Sequence, residues 1–284
     1  MESSPSKIDW QGHRGARGLL PENTIPSFLK ALQYPVKTLE LDIVVSKDNQ
    51  IIISHEPWFS AHICSKQDSS HITSLEEKNL LIRDMTYEEI KTYDCGSRGN
   101  KHFPEQQKMK VFKPSLKDMV NSIESYCAQN NRDLPFYNIE IKSQPEYYDT
   151  LVPKPVTFVQ MVLKEIKKIG IYNRCNLQSF DINVLNEIHK QDSEIPVAFL
   201  IETLKSFEEN LKLLDFEPDI YSPYHIFVNK ELVENVHAKN MKLIPWTVNE
   251  VERMKELIDL GVDGIITDYP NLIENAVSED NQQK

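Results

Sequence analysis

The chain has 284 residues, 40% of them apolar, and a formal net charge of −11. This much apolar material builds a substantial core, which excludes a small disulfide-stapled fold, and the acidic balance argues against an extended nucleic-acid partner, which needs a basic face. One α/β barrel commonly occupies this length, and no apolar run is long enough for stable membrane insertion.

Residues 8–12 read as a weak strand and 21–33 as a helix with Phe28, Leu29 and Leu32 as its apolar stripe. A strong strand follows at 38–44, and the turn Lys47-Asp48-Asn49 leads into a short strand at 50–54. Over 56–111 the rhythm breaks into a polar stretch with one plausible helix near 86–94, too long for a plain βα loop. The alternation resumes with a helix at 115–129 capped by Ser115, a strand at 136–142 and a helix at 157–169 closed by Gly170. Strands at 176–180, 197–201, 220–222, 242–247 and 264–267 then alternate with helices at 182–189, 204–214, 230–240 and 250–260. Pro270 opens a last helical turn, and 278–284 reads as a polar tail.

Ile8, Thr38, Phe136, Asn176, Val197, Ile220, Lys242 and Gly264 thus begin eight strands, each followed by a helix-like segment. Eight such units predict an α/β fold of the (β/α)8 TIM-barrel type, with a small insertion after the second strand. An open doubly wound sheet is disfavoured, and no Gly-rich dinucleotide or Walker pattern follows any strand. The whole chain, 1–284, reads as one catalytic barrel domain with 56–111 as an inserted subregion.

Four cysteines, Cys64, Cys95, Cys127 and Cys175, match no zinc spacing. Cys127 and Cys175 read as small core residues. Cys64 and Cys95 share the insertion and could pair in an oxidising compartment, but free thiols are the favoured expectation. The polar start, 1–7, is no signal peptide, so the chain as written is expected to be cytoplasmic, or periplasmic or exported if a leader has been removed. Arg98, Lys101, Lys108, Lys110 and Lys113 are read first as a solvated loop and second as a rim that attracts anionic substrate.

Polar residues cluster where strands end, the catalytic face of such a barrel. Glu40 and Asp42 stand two apart in an otherwise apolar strand, so both share one face. Two inward carboxylates repel one another and resist desolvation, and a hard cation would relieve both penalties. Asn138-Ile139-Glu140-Ile141-Lys142 repeats the pattern: Glu140 could be a third metal carboxylate and Lys142 could neutralise a phosphate oxygen, against the rival reading of a structural Glu–Lys pair. His13 and His55 each stand where a strand hands over to a loop and could serve as acid and base. Arg14 offers a planar fork for phosphate oxygens. Glu22, at the start of the first helix, could reach the metal site or brace a ligand, while Asn23 or Thr24 caps the helix. Gln178, Trp246, Thr247, Asp268 and Tyr269 occupy later strand ends; Gln178 and Trp246 are expected to bind substrate, Trp246 by stacking on the leaving alcohol or walling the pocket, with a core aromatic as the rival reading. Asp263 precedes the last strand, on the stability face, and is left out of the site.

Together, His13-Arg14-Gly15, Pro21-Glu22-Asn23-Thr24, Glu40-Leu41-Asp42, His55-Glu56, Glu140-Ile141-Lys142 and Asp263 to Pro270 resemble the glycerophosphodiester phosphodiesterases of the bacterial type, in order and spacing, from about Gln11 to Pro270. The resemblance implies a TIM barrel with a region inserted after the second strand. It implies His13 and His55 as the acid–base pair, Glu40, Asp42 and Glu140 as ligands of one Ca2+ or Mg2+ ion, Arg14 and Lys142 at the phosphate, and Glu22 as a further acidic residue of the site. It implies hydrolysis of a small glycerophosphodiester to glycerol 3-phosphate and an alcohol. A phospholipase D acting on lysolipids and a non-catalytic phosphodiester or sugar receptor are the competing readings. The oligomeric state, the head group and the preferred ion stay open.

Overall fold

Short apolar strands alternating with amphipathic helices build a parallel barrel in the computed structural model, which describes residues 8–278. The polar start at 1–7 and all but the first residue of the tail at 278–284 lie outside the described residues. The elements run β1 Asp9–Gly12, α1 Ile25–Ala31, β2 Thr38–Val45, β3 Ile51–Ile53, α2 Tyr87–Ile90, α3 Leu116–Gln129, β4 Phe136–Ile141, α4 Pro155–Lys168, β5 Cys175–Ser179, α5 Ile182–Gln191, β6 Val197–Ile201, α6 Phe207–Leu211, β7 Ile220–Pro223, α7 Lys230–Ala238, β8 Lys242–Leu243, α8 Val251–Leu260, β9 Gly264–Thr267 and α9 Ile273–Val277. The parallel order is β8-β7-β6-β5-β4-β2-β1-β9, and β3 folds back antiparallel on β2.

Backbone bonds beyond β8 close the wall: Asp263 N–H donates to Leu243 O at 3.0 Å, Ile266 N–H to Pro245 O at 3.0 Å and Val248 N–H to Ile266 O at 2.9 Å. The strand expected at 242–247 is therefore present as barrel wall, although its regular ladder stops at Leu243; Pro245 has no N–H to continue it. α1 begins later than the sequence suggests, because residues 21–24 form a turn in which Asn23 is left-handed (φ 57°) and Thr24 is the N-cap. α6 is likewise shorter, starting after a capping box between Ser206 and Glu209 that leaves Leu204 exposed. The helix expected at 86–94 is a single turn, also held by a capping box, between Thr86 and Glu89.

Apolar stripes on the helices cover the barrel, for example Met119, Val120, Ile123 and Cys127 of α3 and Phe158, Val159, Val162 and Ile166 of α4. Inside, the strands divide by chemistry. Ala198, Ile220, Ile244 and Ile266 form an apolar cluster against Trp246. The facing wall is polar: the Asn138 amide donates to Gln11 Oε1 at 2.8 Å and Gln178 Oε1 at 3.1 Å, and Asn176 donates to Asn138 Oδ1 at 2.7 Å.

Cys64 and Cys95 are joined as a disulfide, which overturns the expectation of free thiols there. The reason lies in the fold of the insertion: Ser65 and Asp94, each next to one of the cysteines, exchange backbone bonds of 2.7 and 3.2 Å and so bring the two thiols side by side. A region without regular periodicity gives no register from which this could be read. Cys127 and Cys175 are buried and free, as expected. Among the described residues no helix is long and apolar enough to cross a membrane.

The disulfide closes a loop with a sequence separation of 31. Its reduction is expected to lower stability by about 2–4 kcal/mol through release of unfolded-chain entropy. Calorimetric unfolding with and without reductant measures this, and an unchanged midpoint would refute it.

Candidate active site

The register of β2 and β4 brings three acids together. Glu40 and Asp42 share the inward face of β2, and Asp42 lies opposite Glu140 of β4. Ligand oxygens of Glu40, Asp42 and Glu140 all fall within 4.8 Å of one another, and all three residues are buried. Burial, and then the charges of Asp42 and Glu140, push Glu40 well above the usual carboxylate range. Burial also raises Glu140, and Lys142 offsets this only in part. Burial acts the same way on Asp42, but Arg14, His55 and Lys142 outweigh it and hold that group well below its usual range.

Donors converge on the cluster. Arg14 N–H donates to Glu40 Oε2 and the Gln178 amide to Glu40 Oε1, each at 2.9 Å. The Asn23 amide donates to Asp42 Oδ2 at 2.8 Å, and Lys142 Nζ to Glu140 Oε1 at 2.7 Å. The Arg14 N–H is aimed by a left-handed turn (φ 49°) that continues through Gly15 (φ 86°). A side chain on Gly15 would meet the backbone of Ser27 at 2.6 Å. Asp42 Oδ1 is buried without a hydrogen bond, 3.8 Å from Lys142 Nζ. A crowded, all-oxygen donor set with an orphaned lone pair fits a hard divalent cation.

Both expected histidines face this cluster. His13 Nδ1 lies 2.7 Å from Asp268 Oδ1, and its Nε2 lies 3.8 Å from Glu40 Oε2. Burial and the Arg17 and Arg14 charges outweigh Asp268 and lower His13 to about 4. His55 Nδ1 lies 2.8 Å from Glu56 Oε1. Burial would raise Glu56, but its hydrogen bond and charge pairing with His55 bring it down to about 2. A carboxylate only accepts, so Nδ1 of each ring carries the proton toward its acid and Nε2 is left for the other side.

His13, Arg14, Glu40, His55, Glu140, Lys142, Gln178 and Trp246 line one cavity of about 940 Å³ at the strand ends. Glu22 sits behind the wall and accepts from Arg14 Nη1 at 2.7 Å, so it meets the site through that arginine. Arg14 Nε stands 3.1 Å from Asp42 Oδ2 as an ion pair. Trp246 packs edge-on against Phe180, with ring centroids 5.5 Å apart, and donates its indole N–H to Ser222 O at 2.9 Å.

Sequence reasoning assigns no part to Asp268, Arg17 or Glu56, and to Asn23 only that of a cap. Asp268, at the end of the last strand, accepts from Arg17 Nε at 2.7 Å, Arg17 Nη2 at 3.0 Å and the Asn249 amide at 2.8 Å, besides its contact with His13. Its place after the last strand was the available signal. Arg17 carried none. Asn23, read only as a cap, turns its amide onto Asp42. Lys101, Lys108 and Lys110 are exposed as a solvated loop should be, but Lys113 is buried and donates to Ser54 Oγ at 2.8 Å, which corrects the loop reading at that position. Asp263 lies at the other barrel end, accepting from Leu243 N–H at 2.7 Å.

Residues 13–272 match the profile of the glycerophosphoryl diester phosphodiesterase family. The chain belongs to this family. It is 29% identical over 265 residues to a glycerophosphodiester phosphodiesterase of Caldanaerobacter subterraneus subsp. tengcongensis, covering 93% of this chain and 96% of the relative. A candidate glycerophosphoryl diester phosphodiesterase of Silicibacter pomeroyi superposes with a TM-score of 0.83 at 28% identity, over 97% of this chain and 96% of the other. A phosphodiesterase of Oleispira antarctica, solved with the product sn-glycerol-3-phosphate, shares the fold with a TM-score of 0.73 at 22% identity, over 95% of this chain and 97% of the other. The enzyme is thus a phosphodiester hydrolase, and its buried acidic cluster suits metal-assisted hydrolysis.

Replacing Glu40 by Gln removes one charged donor of three. The variant is expected to bind a divalent cation at least about tenfold more weakly, ~1.4 kcal/mol, by isothermal titration. Normal affinity would take Glu40 out of the ligand set.

Proposed function

We propose that the enzyme hydrolyses small glycerophosphodiesters to glycerol 3-phosphate and a free alcohol, with His13 and His55 as the acid–base pair. The observation that carries this reading is the matched construction of the two imidazoles. Each places Nδ1 on a carboxylate, Asp268 or Glu56, and both rings line the cavity that Glu40 and Glu140 enter.

In this reading Arg14 and Lys142 hold the nonbridging phosphate oxygens, and Glu22 keeps the Arg14 fork in place. One imidazole, with Nε2 free, takes the proton of the attacking hydroxyl, from water or from the glycerol 2-position; the other, as an imidazolium protonated on Nε2 as well as Nδ1, protonates the departing alcohol oxygen. Where the 2-hydroxyl attacks, water then opens the cyclic phosphate to glycerol 3-phosphate. Gln178 orients Glu40, and Trp246 walls the alcohol side. A Ca2+ or Mg2+ ion held by Glu40, Asp42 and Glu140 would neutralise charge on the phosphate and acidify a hydroxyl bound to it. The product found with the Oleispira antarctica protein supports glycerol 3-phosphate as the product here.

A lysophospholipid substrate is the second reading, favoured by one observation. Phe180, Leu204 and Ile226 stand exposed in the loops after β5, β6 and β7, on the rim of the same face. We also take residues 1–284 as one catalytic unit in which 56–111 walls the cavity through Trp58. The Cys64–Cys95 bond supports export from the reducing cytoplasm over the expectation drawn from the polar start.

Turnover of a panel of glycerophosphodiesters, with chelator and with each ion added back, tests the reaction. Activity on small diesters that chelator abolishes is expected, and faster choline release from an acylated analogue than from glycerophosphocholine would favour the second reading. His13→Ala and His55→Ala are each expected to lower kcat at least about 100-fold with the fold intact. Unchanged turnover in either variant would remove that histidine from the pair. Asp268→Asn should lower kcat by a comparable factor at similar KM, since the amide can hold the wrong tautomer of His13; a wild-type kcat would refute the orienting role.

A further inference from the structure

Lys113 has no part in the reaction described above and does not line the cavity, yet its side chain is buried. A buried ammonium costs several kcal/mol unless other groups compensate it, so its position calls for a cause. The chain presents it from a pinned segment. Cys95 N–H donates to Val111 O at 2.7 Å on one side, and Ile53 N–H donates to Pro114 O at 2.9 Å on the other. Lys113 is thereby held between the disulfide-clipped insertion and β3, the strand that leads into His55.

From there a chain of contacts runs to the imidazole. Lys113 Nζ donates to Ser54 Oγ at 2.8 Å, and Ser54 O–H donates to Glu56 O at 2.6 Å. Glu56 Oε1 then meets His55 Nδ1 at 2.8 Å. Burial pushes the Lys113 ammonium below its usual range and the charges of Glu56, Glu22 and Asp42 oppose this in part, while Lys113 in turn helps to hold Glu56, the acid beside His55, low. We propose that Lys113 is a positioning residue for this enzyme's reaction, fixing the Ser54–His55–Glu56 turn so that the His55 ring faces the cavity.

The proposal rests on the acid–base reading of His55 and is tested so that the two can fail separately. Lys113→Met is expected to lower kcat by about tenfold or more with KM changed less than about twofold. In a His55→Ala background, the same change should cost less than about twofold, because the lysine acts only through the ring. Ser54→Ala, which breaks the contact without removing the charge, should show the same loss and the same non-additivity if Lys113→Met does not fold. Lys113→Arg should recover part of the rate. Equal losses in both backgrounds, or an unchanged kcat in Lys113→Met or Ser54→Ala, would overturn the proposal. A His55→Ala enzyme with normal turnover would instead overturn the acid–base reading.

Discussion

Three carboxylates held inside a barrel repel one another, and most of the site is built to contain that repulsion. Glu40, Asp42 and Glu140 are fixed by strand register, so they cannot move apart. Arg14 and Lys142 supply positive charge beside them, while Gln178, Asn23 and the Arg14 N–H supply directed dipoles. These donors do not satisfy everything: Asp42 Oδ1 is left without a partner, and Glu40 is pushed toward its neutral form. The protein thus stores an unfavourable arrangement that a divalent cation would relieve, a common state for an active site and a costly one elsewhere.

The polar half of the barrel interior extends that control downward. Asn138 bonds Gln178 Oε1, which turns the Gln178 amide nitrogen toward Glu40. The same asparagine receives Asn176 and reaches Gln11, so the orientation of one acid of the cluster is tied to three other strands. The apolar cluster opposite, around Ile220 and Ile266, has no such duty and packs as ordinary core.

The histidines are secured from outside the barrel wall. Asp268, which orients His13, is clamped by Arg17, and the insertion holds Arg17 in turn: its guanidinium lies 4.7 Å from the Phe103 ring centroid and its backbone carbonyl accepts from Gln106 at 2.7 Å. The His55 turn is held by Lys113, just past the end of the same insertion, whose Val111 accepts from Cys95 N–H. A segment that looks like an interruption of the barrel rhythm therefore braces both imidazoles, and the disulfide between Cys64 and Cys95 ties that brace together.

Local periodicity made the strands, the helices and the shared face of Glu40 and Asp42 legible, because a side chain two residues along a strand must return to the same side. Position at a strand end did the same for His13, His55, Glu140 and Lys142, since the catalytic face of a barrel is set by strand direction. Partnerships were not legible wherever they depend on closure of the ring. Asp268 meets His13 across 255 residues only because β9 pairs with β1, and no pattern in either segment announces the other. The Cys64–Cys95 bond and the burial of Lys113 arise in a region with neither a strand nor a long helix to impose a period. Local pattern is enough to say which chemistry each strand end can offer. Which of those groups meet depends on closing the barrel and folding the insertion over it, since these bring together side chains that no local spacing relates.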